Sequence, residues 1–301
     1  VIRLTLRRFR SALLASALEM AAWLGRRIPL SAGQQLGRVL GSLAFYAVPR
    51  ERTRALQNIA LAFPEWKQAK HRAVIREMFQ HLGMSLFEIF WLPNLNERTL
   101  ASTTVFEGTE YLPLALEPGR GSVAFAAHCG NWEWLAAGVA TLGYDVTVMA
   151  REVYDSRLND FMVSAREKNT VKTIGRGSVS AAREMLVALR RGGFLAFLID
   201  QNIRSDSADL LFFGRPALTP VGPAKLAIRS GATTVGVFEE RRNGKHYIRI
   251  QPPLVLTKDD DAVRLTEHYT RQIEEQIRRV PEQWVWMHQR WKRRSKVKIV
   301  E

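Results

Sequence analysis

A single cysteine, Cys129, stands among 301 residues, so no intrachain disulfide can form and no cysteine-based metal cluster is available. The six histidines are scattered, with no pair at ligand spacing, which removes the usual zinc arrangements. There is no G-x-x-x-x-G-K-[ST] loop and no evident acidic cluster for magnesium, and both absences weigh against phosphoryl transfer. The G-x-S-x-G elbow of serine hydrolases is also missing. Carboxylates are scarce: 29 Asp and Glu face 44 Lys and Arg, a formal net charge of +15. Such an excess points to an anionic partner, whether nucleic acid, an anionic membrane surface or a phosphorylated substrate. What is plentiful is apolar side chain. At 47% hydrophobic content the chain can bury a sizeable core, as one large domain or two small ones.

The N-terminal stretch is basic, with Arg3, Arg7, Arg8 and Arg10, and is followed by an apolar run over residues 11–25. That run is broken by Glu19 and falls short of the ~20 residues of a spanning helix. It carries no convincing cleavage site, so a secretory signal is not expected. Two readings stand side by side: a segment lying on, or left over from an anchor in, a membrane surface, and an amphipathic helix packed on the protein's own core. Helical spacing continues over residues 31–48, with small residues on one side, then over 50–65 and 67–91, each of the first two ended near a proline. Residues 1–100 therefore read as a helical, membrane-associating region. Over 101–301 the period changes. Strand-like runs at 123–127, 146–149, 171–174, 194–199 and 233–238 alternate with helical runs near 131–142, 155–168, 178–190 and 220–230. This predicts an α/β fold with a mostly parallel central sheet flanked by helices. Asn243-Gly244 is a tight-turn signal from which residues 247–250 return as an antiparallel strand. One more charged helix is expected over 261–280, before an aromatic and basic end.

The organising stretch is 122–143, SVAFAAHCGNWEWLAAGVATLG. A buried strand runs into His-Cys-Gly-Asn-Trp-Glu and then into a helix. Gly130 permits the turn, Asn131 suits the helix N-cap, and Glu133 falls in the first turn, where the helix dipole favours a carboxylate. His128 is thus placed at the carboxyl end of a strand, where open α/β sheets bind their ligands, and Glu133 is expected to reach back towards it. An imidazole with a carboxylate beside it can serve as a general base. A nucleotide site would want more glycine here than this turn supplies. Cys129 follows His128, but on a strand the two side chains point to opposite faces, so Cys129 reads as a small apolar residue. After the next strands come Arg151, then Gly175 and Arg176, then Asp200. On parallel strands all of them share one rim. A base, two candidate carboxylate partners and several arginines suit transfer of an acyl group to a hydroxyl without an enzyme nucleophile, and without a cofactor or metal.

His128 and Glu133 also form an H-x4-[DE] motif that resembles the glycerolipid-type acyltransferases. Four further stretches, RALQNIALAFPE (54–65), FLAFLIDQN (194–202), FFGRPALTPVGPAKLAIRSGA (212–232) and PEQWVWMHQRWK (281–292), resemble one branch: the lipid A biosynthesis acyltransferases that add secondary lauroyl or myristoyl chains. The same branch includes mycobacterial phosphatidylinositol mannoside acyltransferases, so the resemblance leaves the acceptor open. It implies that His128 takes the acceptor's proton and that Glu133 is the motif carboxylate, in some members the main acid-base group. Asp200 matches a carboxylate that pairs with the histidine in the mannoside branch, where the residue is a longer Glu. Arg166 matches an arginine kept near the reacting centre, whereas the strand pattern nominates Arg151. Either guanidinium can hold an acceptor phosphate or an oxyanion. Asn131, Trp132 and Arg176 join Arg151 as expected substrate-binding residues.

The partners implied are an acyl carrier protein or coenzyme A thioester, a phosphorylated glycolipid acceptor and an anionic membrane surface. The location implied is the cytoplasmic face of an inner membrane, held peripherally or by the N-terminal segment. The closing basic tail would then meet lipid headgroups, with Trp284, Trp286 and Trp291 at interfacial depth. A nucleic-acid-binding protein is the rival of another class. High pI and interleaved aromatics are compatible with it, but no binding motif appears and the basic residues spread along the whole chain, so no nucleic acid is expected.

Overall fold

The computed structural model describes residues 20, 23–117, 119–151, 156–203 and 205–292. Most of the apolar run at 11–25, and the end of the chain from residue 293, lie outside them. Three helices come first: α1 (Leu30–Ala47), α2 (Pro49–Ala62) and α3 (Gln68–Trp91). Pro49 opens α2 at its first turn, where a missing N–H costs nothing. The small residues expected along one side of α1 turn out to be its packing face. Gly33, Gly37 and Gly41 bury against α3, and a Cβ added at Gly37 would lie 2.5 Å from the Gly83 carbonyl oxygen. Two helix backbones are therefore in direct contact, which only glycine permits. Leu36, Val39, Leu40, Leu43 and Tyr46 are left exposed on the other side of α1.

A short helix, α4 (Glu97–Thr103), capped reciprocally by Asn96 and Thr99, leads into the sheet. Its strands are β1 (Thr104–Glu107), β2 (Ser122–Ala126), β3 (Val146–Ala150), β4 (Lys172–Gly175), β5 (Phe194–Leu198), β8 (Thr233–Arg242) and β9 (Lys245–Ile250), in the order β1-β9-β8-β2-β5-β3-β4. Only β8 and β9 run antiparallel, joined through Asn243 and Gly244 at positive φ; every other neighbouring pair is parallel. The alternation of strand-like and helical runs thus gives the α/β fold it predicts. Between the strands come α5 (Tyr111–Leu116), α6 (Trp132–Thr141), α7 (Ser156–Glu167), α8 (Ala181–Arg190) and α9 (Gly222–Ser230), and α10 (Ala262–Arg279) follows the sheet.

Strand β1, helix α5 and an antiparallel hairpin, β6 (Ser207–Phe212) with β7 (Arg215–Pro220), do not appear in the sequence reading. The hairpin's strands carry two prolines and an exposed Leu211, which obscures the alternation a strand normally shows. The central strand β2 is buried on both faces. Ala124 and Ala126 face the α6 side, whereas Phe125 stacks on Tyr269 of α10, ring centroids 4.0 Å apart.

Candidate active site

The turn between β2 and α6 is fixed from several directions at once. Gly130 has φ +64, and a Cβ there would collide with the Glu239 carboxylate. Asn131 caps α6, its side-chain oxygen accepting from the backbone N–H groups of Glu133 (3.1 Å) and Trp134 (3.0 Å). Its amide donates to Glu88 at 2.8 Å, and its backbone N–H donates to Glu239. Glu88, fully buried on α3, also accepts from Gln34 of α1 (2.9 Å) and from the buried Arg241 of β8. His246 donates from Nδ1 to Glu239 at 2.8 Å and stacks on Trp134 at 3.9 Å. Burial alone would push the Glu88 carboxyl up, but Arg241 and His246 beside it hold it well below the usual carboxylate range. Glu88, Glu239, Arg241 and His246 went unseen in the sequence. The available signal was an ionisable residue inside an otherwise apolar run, as in SLFEIFW.

His128 stands at the mouth of this turn. Its Nδ1 lies 2.8 Å from Asp200 Oδ1, and its backbone N–H donates to Asp200 Oδ2 at 2.9 Å. The shorter Asp therefore reaches the imidazole. Asp200 is buried, which by itself raises a carboxyl, yet the charge and hydrogen bonds of His128, with the Trp284 N–H, bring it down to about 2. An ionised carboxylate can only accept, so Nδ1 carries the proton. Nε2 is then the ring nitrogen left to take one.

Glu133 does not reach back to His128. It forms a two-pronged pair with Arg166 of α7, at 2.7 and 2.6 Å. The sequence offset is compatible with either partner; the helix direction decides, because Glu133 sits in the first turn of α6 on the side facing α7. Burial lowers the Arg166 guanidinium, but the Glu133 carboxylate outweighs it and the group ends above its ordinary value. Asn131, expected to touch substrate, spends its side chain on the helix cap and Glu88 instead.

A cavity of about 870 Å³ opens in front of His128, within the span of small-molecule sites. One face of three strands lines it, with Ala124 and Ala126 from β2, Ala196 and Leu198 from β5, and Val146 and Val148 from β3. Leu135 and Val139 of α6 close it from above. Register places Phe194, also in the lining, opposite Ser122. The apolar floor therefore lies about 20 Å of strand from His128. At the mouth stand Trp132, its ring edge-on to His128 at 5.0 Å, and the arginines Arg151, Arg166 and Arg176. Arg176 is held below its ordinary value by burial first and then by the neighbouring Arg151. No described carboxylate pairs with either Arg151 or Arg176, which favours an anion between them. Cys129 points the other way, into the opposite core, and burial raises its thiol well above normal, so it is no nucleophile.

The tryptophans expected at a lipid interface are inside the protein. Trp284 and Trp286 are fully buried, and Trp291 packs partly buried on the same core. The reason is a long-range pairing: residues 283–285 lie antiparallel to 128–130, through Gly130 N–H to Gln283 O (2.9 Å) and Val285 N–H to His128 O (3.0 Å).

A histidine oriented by a buried carboxylate stands at the head of an apolar slot with guanidinium groups at its mouth, an arrangement suited to acyl transfer. Across residues 4–293 the chain matches the family model described as bacterial lipid A biosynthesis acyltransferase. The chain belongs to this family. It is 27% identical over 284 residues to the lipid A biosynthesis lauroyltransferase of Escherichia coli, covering 90% of this chain and 89% of that one. Against the Escherichia coli lipid A biosynthesis palmitoleoyltransferase it is 27% identical over 281 residues, with the same coverage. The phosphatidylinositol mannoside acyltransferase of Mycobacterium tuberculosis is 27% identical over 211 residues, and the match spans 68% of this chain and 66% of that relative's length.

Proposed function

We propose that the protein moves a fatty acyl chain from a thioester, on acyl carrier protein or coenzyme A, to a hydroxyl of a phosphorylated lipid A precursor. The observation that carries this reading is the His128/Asp200 pair at the open end of the apolar slot. The acyl chain lies along the alanine-lined sheet face, which brings its carbonyl to the imidazole. His128 Nε2 takes the proton of the acceptor hydroxyl as its oxygen attacks the thioester carbon. Asp200 steadies the imidazolium that forms. The tetrahedral oxyanion is held by a guanidinium, for which Arg166 is already fixed in place by Glu133. The oxyanion then collapses, the C–S bond breaks, and the thiolate leaves with the proton from His128. No acyl-enzyme is formed. In this scheme Glu133 acts as the anchor of Arg166, while Arg151 and Arg176 take an acceptor phosphate. The residues carried into the catalytic role are thus His128, Asp200 and Arg166, with Glu133 behind them.

Membrane association fits the same reading. No helix among the described residues is long and apolar enough to cross a bilayer. The exposed Leu36, Val39, Leu40, Leu43 and Tyr46, flanked by exposed Arg38 and Arg50, suit α1 to lie on an anionic leaflet at the cytoplasmic face of an inner membrane. A mannosylated inositol lipid as acceptor is the second reading, favoured by the likeness to the mycobacterial enzyme. Expression in a strain lacking its own secondary lipid A acyltransferases, followed by mass spectrometry of the lipids, tests both. A lauroyl or myristoyl group added to the sugar backbone is the expected result, lost about 10²–10⁴-fold with His128→Ala. Unchanged lipid A with a newly acylated phospholipid would move the assignment to the second acceptor.

A further inference from the structure

The tryptophan-rich stretch 281–292 is among the features on which the family likeness was read, yet none of the chemistry proposed above uses it. Its place in the fold is specific. Trp284 is fully buried, and its indole N–H donates to Asp200 Oδ2 at 2.7 Å. That oxygen also accepts the His128 backbone N–H, while Oδ1 takes the imidazole. Asp200 therefore makes three hydrogen bonds, and two anchor points, the 128 backbone and the 284 indole, fix the plane of its carboxylate. With Oδ2 held by both, Oδ1 has one direction in which to face the ring.

The indole is itself immobilised. It meets Trp286 edge-on at 4.6 Å and Phe212 at 5.7 Å. The flanking backbone is tied to the very strand end that carries the histidine, on both sides of Cys129. Beyond it, Arg290 is buried on the Leu218 carbonyl and the Thr219 hydroxyl, with Phe212 under its guanidinium. A segment distant in sequence thus grips both members of the pair: His128 through its main chain and Asp200 through a side chain.

We infer that Trp284 is a positioning residue for the transfer, orienting and stabilising the Asp200 carboxylate from the side opposite the imidazole so that His128 keeps the tautomer with Nε2 free. The inference rests on the base role proposed above for His128. It makes the stretch 283–285 part of the active site although it does not touch the cavity.

A neutral N–H given to an ionised, water-excluded carboxylate favours the charged form. Without it Asp200 becomes easier to protonate. The other groups about Asp200 are His128 at the end of β2, Arg290 in the C-terminal stretch and the raised thiol of Cys129, and none is altered by a change at 284.

The test uses the full chain and compares Trp284→Phe with a protein carrying at 284 an isostere in which sulfur replaces the indole N–H. Steady-state transfer from a lauroyl thioester is followed as a function of pH. Both variants are expected to lose roughly ten- to a hundredfold in kcat, the worth of a hydrogen bond to a charged group. KM for donor and acceptor should stay unchanged, and the acid limb of the kcat profile should move to higher pH. The sulfur isostere keeps the shape and packing of the indole, so it carries the test if Trp284→Phe fails to fold. A folded isostere variant with the parent's kcat and pH profile overturns the inference. A loss confined to KM, or one with an unmoved acid limb, also overturns it. If the parent itself transfers no acyl group from any thioester offered, the proposed transfer has failed and the positioning role falls with it, an outcome told apart from the others by the parent's own inactivity.

Discussion

At Asp200 two opposing effects meet in one side chain. Desolvation opposes its charge, and His128 with two N–H donors more than restores it, leaving the carboxyl at about 2. Its folded value is below the ordinary one of about 3.9. Its contribution to stability is therefore complete above that ordinary value and is lost as pH falls towards about 2. Asp200→Asn should consequently be less stable than the parent at neutral pH, with the gap narrowing as pH falls from ~4 to ~2. Urea unfolding midpoints measured across that range check it, and a constant gap would deny the coupling. The same scale explains the fate of Glu133. A motif carboxylate five residues after the histidine reads as its partner, but a helix-terminal side chain turns towards whatever cation the neighbouring helix offers. Here the cation is Arg166, which gives its Nε and Nη2 donors to the carboxylate.

Elements meet at two places where substitution has a clear consequence. The first is the glycine contact between α1 and α3. A methyl group at Gly83 would be driven into the Gly37 carbonyl, and because the obstacle is backbone, the helices must part. Gly83→Ala is expected to cost about 1–3 kcal/mol by overpacking, although alanine has the better helix propensity. Thermal unfolding would show the sign: a raised melting temperature would mean that the helices are not in contact. The second is the Glu88 cluster, through which α1, α3, β8 and the cap of α6 share one carboxylate. This ties the helical region to the turn that carries His128. We propose on that ground that residues 1–100 and 101–301 form one continuous structural unit.

For the whole molecule, the charge and the outer face of α1 act together. An excess of +15 is distributed widely, but the exposed apolar stripe is local, so under the peripheral attachment proposed above orientation on a leaflet falls to α1. Replacing Leu36, Leu40 and Leu43 by serine should weaken sedimentation with anionic vesicles at least tenfold, since each buried leucine contributes about 1.5–3 kcal/mol. It should leave acyl transfer to detergent-dispersed acceptor intact. Binding that survives the triple change yet vanishes in high salt would assign the attachment to charge alone.

The residue pattern alone was enough to place the alternation of strands and helices, His128 at a strand end, the turn built on Gly130 and Asn131, and Arg151, Arg176 and Asp200 on one rim. These follow from period, caps and chain direction, all of which are local. Long-range packing was needed to show which carboxylate meets the histidine, that Glu133 pairs with Arg166, and that Trp284 and Trp286 are buried with Trp291 packed against them. The physical reason is that an aromatic, basic stretch has the same composition whether it meets a membrane or folds back over a sheet. What separates the two is the backbone pairing of 283–285 with 128–130, a contact between segments about 155 residues apart that no local pattern records.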